Sequence, residues 1–211
     1  SAINNRAVQS VDSEVLIFLN DDTEILEETW LSELTCNAIR KEIGAVGGKL
    51  LYPNGKIQHA GVILGIGGVA GHAFRTLPTN CSEQMNRVNI PHNVSAVTGA
   101  CLAVDRQKFL SVTGFDQEKL KVAFNDVDLC LKLMEKGYRN LYLPQVKLIH
   151  HESYSRGAED SPEKKARFKI ETEVMQDRWG PLLQNDPHYN PNFSLQFEQF
   201  ELGNPRQKTH E

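Results

Sequence analysis

The run VLIFL at residues 15–19 ends abruptly on Asn20, Asp21 and Asp22, and this feature limits the fold most. A short, unbroken apolar run reads as a strand buried on both faces, hence as part of a sheet with helices on either side. Adjacent carboxylates at the end of such a strand repel one another, and burying them costs on the order of several kcal/mol without a cationic partner. Water or a metal ion must therefore meet this end of the strand. Asp and Thr are also good helix caps, so NDDTE read alone equally describes a strand exit followed by a helix start.

The pattern downstream alternates in the same way. Trp30, Leu31, Leu34, Ala38 and Ile39 fall at helical spacing, with Arg40 and Lys41 after them and Gly44 as a stop. AVGGKLLY and KIQHAGVILG read as strands joined by the turn PNG. From Gly65 to about Pro91 the chain turns glycine-rich and then polar, which predicts a long irregular excursion. VSAVTGACLAVDRQKFLSVTGF reads as strand, glycine turn, strand and short helix.

NDVDLCLKLMEKG predicts a helix with Val127, Cys130, Leu131 and Met134 on its apolar face. RNLYLPQVKLIHH predicts a strand broken by Pro144, and SPEKKARFKIETEVMQDRWG an amphipathic helix carrying Phe168, Met175 and Trp179. Strands alternating with helices define an α/β layered domain. The Pro/Asn-rich end, NDPHYNPNFSLQFEQFELGNPRQKTHE, reads as a tail that drapes over the surface or frays.

With 211 residues, 40% of them hydrophobic and 24% charged, the chain is long enough for one domain with a sizeable core. A net charge of -4 without a basic block speaks against nucleic acid. The longest apolar stretch, AGVILGIGGVAG, is too short and glycine-rich to span a bilayer. Four scattered cysteines without a CxxC pair read as free thiols of a reducing cytoplasm.

Two strands thus end on ligand-type residues, Asn20-Asp21-Asp22 and His150-His151, and a helix between them opens on Asn125, Asp126 and Asp128. Ligands of open α/β sheets bind at the carboxyl ends of strands. Carboxylate with imidazole suits Mn²⁺ well and Mg²⁺ less well. The acidic residues at 126 and 128 are also what the macrodipole favours in any first helical turn. Adjacent side chains at a strand end point to opposite faces, so only one of the two histidines readily reaches a given site. The glycines of GIGGVAGH lack the Lys-Ser/Thr of a phosphate loop.

FLNDDTE, LLYPNGKIQHAGVILGIGGVAGH, NVSAVTGACLAVDRQKF, GFDQEKLKVAFNDVDLCLKLMEKGYR and HHESYSRG together resemble glycosyltransferase family 2, nearest the rhamnosyltransferase-like enzymes of bacterial surface-polysaccharide assembly. The resemblance covers about residues 4–192, which implies a partial catalytic domain over residues 1–192 and a C-terminal tail over 193–211. It implies a GT-A fold and inverting transfer of a sugar from a nucleoside-diphosphate donor to an acceptor hydroxyl, the acceptor being a saccharide or lipid-linked saccharide. It assigns Asp22 first and Asp21 second to the metal, Mn²⁺ or Mg²⁺, within Asn20-Asp21-Asp22, which matches the family's DxD-type motif with Asn at its first position. His150 matches the metal-binding histidine, with His151 as the alternative. Asp126 matches the catalytic aspartate, its usual glutamate neighbour being Asn125 here, and Gly99 and Ala100 fall in the loop beneath donor sugar and acceptor.

Family members begin with a strand-helix-strand unit that this chain is expected to lack. Such a fragment would expose a sheet edge open to homodimerisation. The resemblance also implies a cytoplasmic enzyme at the inner face of the plasma membrane, in peripheral contact with it. Two other classes fit parts of the pattern: a metal-dependent phosphoesterase or pyrophosphatase, which ordinarily needs more ligands, and a non-catalytic carbohydrate-binding fragment.

Overall fold

The computed structural model describes residues 1–151 and 161–204; residues 152–157 of HHESYSRG and the end of the tail, 205–211, lie outside the described residues. A helix, α1 (Ala2–Gln9), precedes β1 (Val15–Leu19); VLIFL forms the expected strand, but at the end of the strand order, with Leu16 and Phe18 buried and the other face only partly covered. After the NDD turn come β2 (Thr23–Ile25), α2 (Trp30–Ala38), β3 (Ile43–Leu51), β4 (Ile57–His59), β5 (Val62–Leu64) and β6 (Ala70–His72). A short α3 (Glu83–Asn86), β7 (His92–Val94), β8 (Cys101–Asp105), α4 (Arg106–Ser111), α5 (Asn125–Glu135), β9 (Arg139–His150) and α6 (Pro162–Gln184) follow.

The main sheet runs β1-β8-β3-β9-β2, with β4 added to β3 and β7 to β9. Every residue of β3 is buried, because β8 flanks it antiparallel on one side and β9 parallel on the other. Its glycines are a packing requirement. A Cβ on Gly47 would sit 2.6 Å from Val97 Cβ, and one on Gly48 2.5 Å from Val146 Cγ1, closer than carbon atoms pack. Pro144 does not end β9: the register jumps from Gly48↔Leu143 to Lys49↔Lys147. The bulge absorbs the residue that has no N–H to donate, and the strand continues to His150.

Helices cover both faces, giving three layers. On one face Leu34 and Ala38 of α2 pack with Val46 and Leu148. On the other, Phe109, Leu129, Leu131, Met175 and Trp179 from α4, α5 and α6 join the larger core. The expected apolar face of α5 is too narrow: Leu129 and Leu133 are buried as well, and Met134 only partly, because α6 covers a second side. Phe168 of α6, expected with Met175 and Trp179, is instead 50% exposed.

The excursion expected from Gly65 also begins differently. β6 returns antiparallel along β5, through a turn in which Gly65 and Gly67 adopt φ of 87° and 64°. The start of the tail packs rather than frays. Phe200 is buried and stacks on Phe74 at 4.5 Å, and the Phe74 amide donates to the Glu198 carbonyl. All four cysteines are free, and no described helix is long and apolar enough to cross a membrane.

β7 brings His92 edge-on to Tyr142, with ring centroids 5.2 Å apart and Nδ1 2.8 Å from the Ile90 carbonyl oxygen. Burial pushes its pKa down to about 4, against the raising effect of the Ile90 bond. Between that value and the ordinary histidine pKa of about 6.5, the unfolded chain holds a proton that the folded chain lacks. Stability therefore falls as pH drops through this window. Urea denaturation from pH 7 to pH 4 should show a falling midpoint, and His92→Phe should fall less steeply; equal slopes would remove His92 as a cause.

Candidate active site

The site begins with a strand register. β2 runs antiparallel to the end of β9 with Thr23 opposite His150, and the His151 amide donates to the Asp22 carbonyl at 2.9 Å. This pairing folds the NDD turn back so that Asp22 Oδ1 lies 3.1 Å from His150 Nε2, both side chains being mostly buried. Asn20 is held from the other side, its amide donating to the Ala100 carbonyl at 3.0 Å, and its Nδ2 lies 3.2 Å from the same Nε2.

Gln58 of β4 decides which ring nitrogen of His150 carries the proton. Its Nε2 donates to the His150 carbonyl at 3.3 Å, which turns Oε1 toward Nδ1 at 2.7 Å. An amide oxygen can only accept, so the neutral ring carries its proton on Nδ1 and turns the Nε2 lone pair toward Asn20 and Asp22. The Asn20 amide can donate to that lone pair, but a carboxylate oxygen cannot. Asp22 Oδ1 is accordingly a buried atom without a hydrogen-bond partner. A carboxylate oxygen and an imidazole lone pair turned toward one another at 3.1 Å fit a shared divalent cation. Among the described residues no group of three or more His, Cys, Asp or Glu converges in this way, so further ligands would have to come from solvent or substrate.

Asp126 stands in the first turn of α5 and is fixed by two backbone amides. Gly99 N–H donates to Oδ2 at 2.7 Å and Val127 N–H to Oδ1 at 2.8 Å. A Cβ on Gly99 would come within 3.3 Å of the Asp126 Cβ, so glycine there permits the approach. The Thr98–Ala100 turn thus touches both centres, with Gly99 on Asp126 and Ala100 on Asn20. Asp126, Gly99, Ala100, Asn20 and His150 line one open cleft of about 680 Å³. On other walls Arg75 donates to Tyr52 Oη at 2.9 Å and faces Glu198 at 3.7 Å, and Phe168 presents its ring.

Other expected residues are placed elsewhere. Asp128 is turned away and fully buried, with Oδ1 accepting from Arg178 at 2.6 Å and Trp179 Nε1 at 3.0 Å, and Oδ2 3.2 Å from Lys132. Two positions along a helix is more than half a turn, so Asp126 and Asp128 cannot face the same way. His151 points out beside Glu24 at 3.6 Å, and Asp21 is exposed on the turn. Asn125 lines the cleft but donates its side-chain amide to the Val122 carbonyl.

Gln58 and His59 escaped the reading of the sequence, although two polar residues inside an otherwise apolar strand are a signal. His59 is fully buried, and its Nε2 accepts from the Gly61 and Thr98 amides at 3.3 and 3.4 Å. Its proton therefore lies on Nδ1, 2.8 Å from His72 Nδ1. Burial, with His72 and His150 nearby, holds its pKa well below the ordinary range. His59 is a neutral strut between β4, β6 and the Thr98 turn.

Two solved structures share this architecture. One is GalNAc-T7 with UDP, GalNAc and Mn²⁺, at a TM-score of 0.59 and 16% identity, covering 84% of this chain and 35% of that one. The other is the mannosyltransferase PcManGT of Pyrobaculum calidifontis with GDP-Man and Mn²⁺, at 0.52 and 14%, covering 85% and 46%. The chain has the GT-A fold. The motif resemblance is borne out by relatives of the GT-A chain in sequence. The O-antigen biosynthesis protein RfbC of Myxococcus xanthus is 43% identical over 92% of the chain and 15% of its own length. The protein y4gI of Sinorhizobium fredii is 47% identical over 98% and 23%. An N-acetylglucosaminyl-diphospho-decaprenol L-rhamnosyltransferase of Mycobacterium tuberculosis is 27% identical over 61% and 42%. The chain therefore spans less than a quarter of the length of the first two. No family model matches.

The orphaned Asp22 oxygen makes a measurable demand. In the metal-free protein Asp22→Asn replaces an acceptor facing a lone pair with a group that can donate to it. Relief of one such mismatch is worth about 1 kcal/mol, or a rise of about 2–4 °C in Tm for a chain of this size. Calorimetric melting in chelator should show that gain, and Mn²⁺ should raise the Tm of the parent alone. A lower Tm for Asp22→Asn in chelator would contradict the assigned tautomer.

Proposed function

We propose that this GT-A chain is the transferring part of an inverting, metal-dependent glycosyltransferase of surface-polysaccharide synthesis. The observation that carries the reading is that His150, paired with Asp22, and the amide-fixed carboxylate of Asp126 line one cleft. One solved neighbour holds UDP and GalNAc and the other the nucleotide-sugar GDP-Man, and the Mycobacterium relative is named for a lipid-diphosphate-linked acceptor. A nucleotide-sugar donor and a saccharide or lipid-linked acceptor, met at the cytoplasmic face of the plasma membrane, follow by analogy.

In this reading Asp22 and His150 Nε2 hold Mn²⁺ or Mg²⁺, which when bound neutralises the charge that develops on the departing diphosphate. Gln58 keeps the His150 lone pair turned to the cleft. Asp126 accepts the proton of the acceptor hydroxyl as its oxygen bonds to the anomeric carbon, and the bond from that carbon to the diphosphate breaks with its electron pair leaving on the diphosphate. Glu198 faces Arg75, which leaves Asp126 as the proton acceptor. Attack from the face opposite the leaving group inverts the anomeric centre. The Gly99 and Val127 amides fix the rotamer of Asp126 while each oxygen keeps a further lone pair.

Calorimetric titration of UDP, dTDP and GDP, with and without Mn²⁺, tests the donor half. Binding by the parent should require Mn²⁺ and vanish in Asp22→Ala and His150→Ala, and Gln58→Leu should weaken it by about 10–100-fold through loss of the tautomer lock. Asp126→Asn should keep donor binding and lose roughly 10²–10⁴ in kcat in the full-length protein. Metal-independent binding, or an active Asp126→Asn, would overturn the respective role.

A further inference from the structure

Glu171 of α6 is a carboxylate at 1% exposure, a costly thing to bury unless its oxygens are fully engaged. Their hydrogen bonds come from three backbone amides: Oε1 accepts from the Lys121 and Val122 amides at 3.1 and 3.2 Å, and Oε2 from the Ala123 amide at 2.6 Å. Arg167 Nε, one turn back on α6, lies 3.9 Å from Oε1. Consecutive amides turned onto one anion form a nest, here filled by the protein itself. A buried apolar residue at this position could pack α6 equally well. What the carboxylate adds is a fixed conformation for residues 121–123.

That short stretch leads directly into the catalytic turn. Phe124 follows with φ of 59°, a left-handed conformation that a bulky side chain adopts at a cost. Asn125 returns its side-chain amide to the Val122 carbonyl at 2.9 Å, and Asp126 comes next, bonded to Gly99. Phe168, one turn before Glu171 on α6, packs its ring 5.3 Å from that of Phe124. The strained residue is thus held on its backbone side by Glu171 and on its ring side by Phe168.

We propose that Glu171 is a positioning residue for Asp126, its carboxylate fixing the 121–123 backbone so that the Phe124 turn aims Asp126 at Gly99 and the cleft. This rests on the reading of Asp126 as the proton acceptor. Glu171 touches no substrate; it acts through the loop.

Glu171→Gln is the direct test, since an amide offers a single accepting oxygen and turns an NH₂ toward at least one N–H of the nest. Amide exchange of residues 121–123 should speed up about tenfold, as for loss of one net hydrogen bond. The decisive reporter is the Gly99 amide, which makes no contact with Glu171 but donates to Asp126: its exchange should rise with the others. In the full-length protein kcat should fall about 10²-fold, as for a misplaced reacting group, while the donor Kd stays within about twofold. Glu171→Asp, which keeps the charge and retracts it, should give an intermediate loss and carries the test if the Gln variant does not fold. Faster exchange at 121–123 with Gly99 and kcat at parental values would overturn the proposal. A parent without transfer would sink the proposed function, and the Gly99 exchange would then decide the positioning role alone.

Discussion

The pairing of Thr23–Ile25 with the last residues of β9 is the constraint on which the cleft depends. It carries the chain from β1, at one end of the strand order, across to β9 near the other and sets Asp22 against His150, residues 128 positions apart in the chain. A shift of one residue in that register would exchange His150 for His151. Pro144 contributes at a distance. The bulge it forces between Leu143 and Lys147 sets where β9 ends relative to β3, and so which histidine meets the NDD turn.

A second constraint comes from α6, which holds α5 at Asp128 and the loop that leads into it at residues 121–123. Arg178 bridges Asp128 and Asp116, Trp179 donates to Asp128, and Glu171 caps the approach to Phe124. Carboxylates that look alike in the sequence therefore divide by environment. Asp128 is neutralised inside the helix pair and is structural, whereas Asp126, two residues earlier on the same helix, faces the cleft with only backbone amides bonded to it.

The cleft itself joins parts with different demands. Asp22 carries an unsatisfied oxygen, Phe124 a strained backbone, and His59 a proton locked between buried neighbours. Each is unfavourable locally and is supported by packing elsewhere, the pattern expected where a fold has been shaped around chemistry. The solved neighbours share the architecture at low identity, so the likeness speaks for the scaffold, and the argument for chemistry rests on these side chains.

Local physics made the layered α/β class, most strands and the long helices legible in the sequence, because unbroken apolar runs and helical spacing state their own burial. Asp22 stood out as a charge at the end of an apolar strand, whereas Asp126, in a first helical turn where acids are favoured anyway, was set apart from Asp128 by the motif resemblance. Gln58, His59 and Glu171 were not legible: each takes its role from a partner on another element, and no local pattern announces which amide or ring it will meet. The resemblance preferred His150 to His151, but the physical reason, and the removal of Asp128 from the cleft, waited on the tertiary structure. Strand register and helix rotation decide which way a side chain points, and both are set by contacts far along the chain.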